Sequence, residues 1–138
     1  MSDSVPLSIM LAVAVLAASC SRSDEDALEG EPMVLTLSFG DRVQEPTDRD
    51  IRNLLGRLDV ARDGEGFAIL ARDEMTYIQV SGDWKTGFDM EYQEGDVERH
   101  YRASREDISL DEAVQAFIDY RDGRIQWDRY GDWSRITW

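Results

Sequence analysis

Between Phe67 and Ala103 the chain repeats one pattern four times: a short run in which apolar and polar side chains alternate, then a cluster of turn-forming residues. The runs are 67–71, 76–80, 87–92 and 98–103, and the clusters between them are Arg72-Asp73-Glu74, Ser81-Gly82-Asp83 and Glu94-Gly95-Asp96. Alternation of period two places successive side chains on opposite faces of a strand, and such short connections join antiparallel neighbours. A meander is predicted. In its third run Phe88, Met90 and Tyr92 share one face while Asp89, Glu91 and Gln93 share the other, as in a sheet that packs on one side and meets water on the other.

The flanks of the meander supply more elements. Met33, Leu35, Leu37 and Phe39 alternate in a strand that stops at Gly40-Asp41. After Pro46-Thr47, residues Ile51, Leu54, Leu55 and Leu58 recur at helical spacing, with Asp48 and Asp50 in the first turn where the helix dipole favours anions. Ser109 and Glu112 form a capping box, each satisfying a backbone N–H that a helix start leaves unpaired. Leu110, Val114, Phe117 and Ile118 make the stripe of that second helix, and Asp122-Gly123 ends it. A last strand from about Asp132 sets Ser134, Ile136 and Trp138 on one face. The expected order is β-α-β-β-β-β-α-β: an α+β fold, mainly an antiparallel sheet, with two helices on one face.

Ahead of this domain lies an apolar run, Val5 to Ala18, that ends at Ser19 and the only cysteine, Cys20. The run has the length of a secretory signal and is shorter than the roughly 20 residues that a spanning helix needs. Leu16-Ala17-Ala18-Ser19 before Cys20 resembles the lipobox of bacterial lipoproteins. That resemblance implies a signal peptide over 1–19, acylation of Cys20, and a place in the cell envelope, at the outer membrane in a Gram-negative cell. Residues 20–32 are polar and acidic and read as a flexible tether, because they hold too little apolar surface to offset ordering entropy. Residues 33–138 make one domain. It contains no second thiol to pair with Cys20, so the core must hold the fold without a disulfide.

Charge narrows the partners. The chain carries 29 acidic and 15 basic side chains, a net charge of −14, and only Asp3 of these lies in the leader. Such a field repels phosphate backbones, so no nucleic acid is expected; it favours a basic protein partner if there is one, and otherwise serves to keep the domain soluble and monomeric.

Catalytic parts are sparse. Nucleophilic catalysis needs a nucleophile set against a base. The single histidine, His100, falls in the row Glu98, His100, Arg102, opposite Tyr101 and Ala103, and is expected on the exposed polar side of its strand. Glu91, Glu94 and Asp96 surround the Gly95 turn, which lacks the ligand spacing of a calcium loop and reads as a solvated turn. No catalytic residue, metal site or cofactor is assigned. The aromatic end of the chain holds Trp127, Tyr130, Trp133 and Trp138, types enriched at binding hot spots; most are expected in the core, with Trp127 and Tyr130 as the exposed pair. Asp89, Glu91, Trp127 and Tyr130 are therefore the candidate partner-binding residues.

Gly87 to Gly95, Arg99 to Arg102, Ser109 to Phe117, Tyr120 and the spaced tryptophans together resemble small bacterial α+β domains, some of them similar to immunity proteins of polymorphic toxin systems. The resemblance implies a single-domain inhibitor that binds and blocks a toxin without catalysis of its own. A structural or envelope-maintenance lipoprotein with no toxin partner is the alternative.

Overall fold

The computed structural model describes residues 32–138 apart from Glu65. Cys20, the signal and nearly all of the tether lie outside the described residues. Seven strands make one sheet: β1 Val34–Leu37, β2 Arg42–Gln44, β3 Phe67–Asp73, β4 Thr76–Asp83, β5 Gly87–Glu94, β6 His100–Ala103 and β7 Trp133–Arg135. Their order is β2-β1-β3-β4-β5-β6-β7, and every neighbouring pair is antiparallel. The helices are α1 Asp48–Leu55, the single turn α2 Val60–Asp63, and α3 Leu110–Arg121.

The predicted α+β fold is thus the observed one, with two additions. β2 is three residues long and lacks an alternating apolar set, so its sequence carries no strand period. α2 is one turn, started by the Asp59 side chain, which accepts from the Arg62 N–H at 3.3 Å. Both longer helices open on capping boxes. Ser109 Oγ accepts from the Glu112 N–H at 3.1 Å while Glu112 accepts from the Ser109 N–H at 3.0 Å. Thr47 and Asp50 do the same for α1, with the shorter carboxylate in the role usually held by Glu or Gln. Arg105 grips Glu112 through two hydrogen bonds of 2.9 Å, and this guanidinium is the main reason that the Glu112 carboxyl titrates near 2.

One cluster contains the buried apolar side chains of α1, α3 and the first sheet face. That face presents Leu35 and Leu37, Ala68 and Leu70, Ile78 and Val80, and Phe88 and Met90, and the helices contribute Ile51, Leu54, Leu55, Val114 and Phe117. The second face keeps Thr36, Ile69, Tyr77, Gln79, Asp89, Glu91 and Arg102 only partly covered. It is the wet face.

Candidate functional site

Strand register decides which polar groups meet on the wet face. Gln93 lies opposite His100 and Glu91 opposite Arg102, so His100 has Gln93 as its direct neighbour and Glu91 as its diagonal one. The Gln93 amide donates to the Met75 carbonyl at 3.1 Å, which turns its Oε1 toward the imidazole. His100 Nδ1 lies 2.9 Å from Gln93 Oε1, and Nε2 lies 2.8 Å from Glu91 Oε1. Tyr77 and Trp138 set their rings edge-on to the imidazole, with centroids 6.1 and 5.5 Å away.

The expectation that His100 is exposed is overturned, since the residue is 3 % accessible. The period identified its face correctly; what it did not show is that Tyr77, Gln93 and Trp138 close over this corner. Both ring nitrogens face oxygen acceptors of the chain itself.

Next to this corner Arg102 donates to Asp89 at 3.0 Å and lies 3.7 Å from Glu106. One guanidinium and one imidazole therefore serve three carboxylates, Asp89, Glu91 and Glu106. Partial burial is the largest influence on Asp89 and pushes its carboxyl up, against the pull of Arg102; Glu91 and Glu106 push the same way as burial. An ionised Asp89 is consequently short of favourable charge. The two carboxylates named from sequence, Asp89 and Glu91, do meet here, and Arg102, Gln93 and Tyr77 join them.

The expected aromatic pair is corrected. Tyr130 is 2 % accessible and sits in the core cluster. Trp127 stacks on Tyr92 with centroids 3.9 Å apart and packs edge-on against Trp133, whose Nε1 donates to the Trp127 carbonyl at 2.8 Å. A turn of 3-10 helix, Trp127–Tyr130, carries Tyr130 into the core cluster and packs the half-buried Trp127 against it, and the exposed tryptophans are elsewhere. Trp138 is 84 % accessible, and Trp84, on the β4–β5 turn, is 56 % accessible with the Lys85 ammonium 5.9 Å from its ring. Trp84 directly follows the turn-forming Ser81-Gly82-Asp83, and that position is the sequence signal of its exposure.

The Gly95 turn is held by protein groups: Gly95 N donates to the Met75 carbonyl, and the Asp96 carboxylate accepts from Glu98 N at 2.8 Å. Among the described residues no group of three acidic, histidine or cysteine side chains is spaced to hold a metal ion. No described helix is long and apolar enough to cross a membrane. No family model matches this chain, and neither a curated protein nor a solved structure is similar to it.

Proposed function

We propose that this chain is a lipid-anchored binding protein of the bacterial cell envelope, without catalysis of its own, whose acidic domain takes a basic protein partner and serves as an immunity-type inhibitor. The observation that carries the reading is the wet face of the sheet, where Asp89, Glu91 and Glu106 outnumber their cationic partners and Asp89 is already partly desolvated. A lysine or arginine arriving there gains attraction without the full cost of stripping water from the carboxylate. The net charge of −14 adds long-range steering toward the same class of partner. The engagement of both His100 nitrogens supports a role in contact rather than in proton transfer.

The test is capture from envelope extract by the full chain and by the Asp89→Lys, Glu91→Lys double variant, with the captured proteins identified by mass and compared for isoelectric point. Selective capture of basic proteins, lost in the variant, is the expected result. Equal capture by both chains would sink the reading.

A further inference from the structure

The sheet has two edges, and they differ. β2 is closed off by Glu45, which takes a left-handed φ of 51° and leads into Pro46, so the chain turns away from that edge as natural edge strands do. β7 is equally short and carries Arg135, but no residue of positive φ turns the chain away from this edge after Gly131. Ile136 N donates to the His100 carbonyl at 2.8 Å and Ser104 N to the Asp132 carbonyl at 2.7 Å, so residues 132, 134 and 136 turn their backbone groups inward to β6. By strand alternation Trp133, Arg135 and Thr137 turn theirs outward. Ser134, Arg135 and Thr137 are exposed along this edge.

A cleft of about 370 Å³ lies beside it, lined by Val97, Glu98, Arg135, Ile136, Thr137 and Trp138. Its walls include two of the most exposed apolar side chains in the domain, Val97 at 46 % and Trp138. Arg135 is tied to the Glu98 carbonyl at 3.2 Å, which holds the guanidinium against the wall. Trp138 also sets its ring edge-on to His100, whose Nε2 meets Glu91.

An outward row of backbone donors and acceptors next to a side-chain pocket is the arrangement used for strand addition, in which main-chain bonds give affinity and the pocket gives specificity. We propose that the β7 edge accepts an extended, basic segment of the partner protein as an eighth strand, with one bulky apolar side chain of that segment in the Val97–Trp138 cleft. This rests on the reading that the partner is a basic protein. The lysines or arginines of the segment are drawn by Glu98 at the cleft and by the net charge of −14 of the chain.

The experiment uses the 15N-labelled full chain and a synthetic peptide, acetyl-Lys-Thr-Lys-Phe-Lys-Val-Lys-amide, with two controls: the peptide N-methylated at alternate amides, and the peptide with Ser for every Lys. Expected are shifts at Val97 and Trp138 and amide exchange at Arg135 and Thr137 slowed by at least about tenfold, both lost with the N-methylated peptide. Arg135→Ala removes the guanidinium alone and Arg135→Pro removes the guanidinium and an outward backbone N–H, so the proline variant should bind about tenfold or more weakly than the alanine variant. Should Arg135→Pro fail to fold, the N-methylated peptide makes the same test. Shifts confined to Asp89, Glu91 and Arg102, with exchange at Arg135 and Thr137 unchanged, would overturn the edge proposal and leave the charge-based reading standing. Equal protection by the Ser peptide would do the reverse. Concentration-dependent protection of β7 in the free chain would assign the edge to a second copy and overturn the proposal.

Discussion

The Asp83 carboxylate is buried where α2 meets the β4–β5 turn, and it accepts from Val60 N, Lys85 N, Thr86 N and the Thr86 hydroxyl at 2.9 to 3.0 Å. Asp83→Ala leaves those donors without their acceptor and should cost about 2–4 kcal/mol, read as a lower urea midpoint with an unchanged slope. The Val60 N–H is the largest of the influences that hold the Asp83 carboxyl below its ordinary value of 3.8. A carboxylate lowered in this way stabilises the fold fully above the unfolded value and loses that contribution as pH falls through the folded one. The variant should therefore show a shallower loss of stability on acidification below pH 3.8 than the parent chain. An equal slope in both would count against the assigned role. At this scale the sequence was least legible. It placed Asp89 and Glu91 on the right face, but exposure depends on what lies over a residue. Tyr130 and His100 are covered by segments distant in the chain, which no local period records.

At the scale of elements the period-two runs were legible because each strand of the meander buries one face against the same core, and the Ser109 capping box announced α3. β2 and α2 escaped because neither is long enough to show a period. Sequence also read Ser81-Gly82-Asp83 as a turn, whereas Gly82 is inside β4. There it adopts φ +120°, and a Cβ would stand 2.3 Å from the Gly87 carbonyl oxygen. Gly82→Ala thus meets both a backbone conformation that L-residues avoid and a contact with main chain that cannot swing aside. We expect a loss of about 2–4 kcal/mol, with amide protection falling first at the Asp83–Gly87 end of the β4–β5 hairpin. A variant as stable as the parent would show that the hairpin can adopt another register.

For the molecule as a whole, the proposed anchor makes a separate prediction. A fatty-acid probe should label the full chain and partition it with membranes, and Cys20→Ser should abolish the label and release the protein to the aqueous phase, because stable attachment needs more than one acyl chain's worth of buried methylenes. Unchanged partitioning without label would replace lipidation by an uncleaved apolar leader. The domain itself does not depend on that outcome, since its core closes within residues 33–138.

The order of the sheet also governs how the polypeptide emerges during synthesis. β3 to β6 are consecutive both in the chain and in space, so they can zip together while later residues are still being added. α3, which supplies Val114 and Phe117 to the core, is translated after all four. For that interval the nascent meander carries Ile78, Val80, Phe88 and Met90 as bare hydrocarbon, and this is the stage at which a holding chaperone has most to shield.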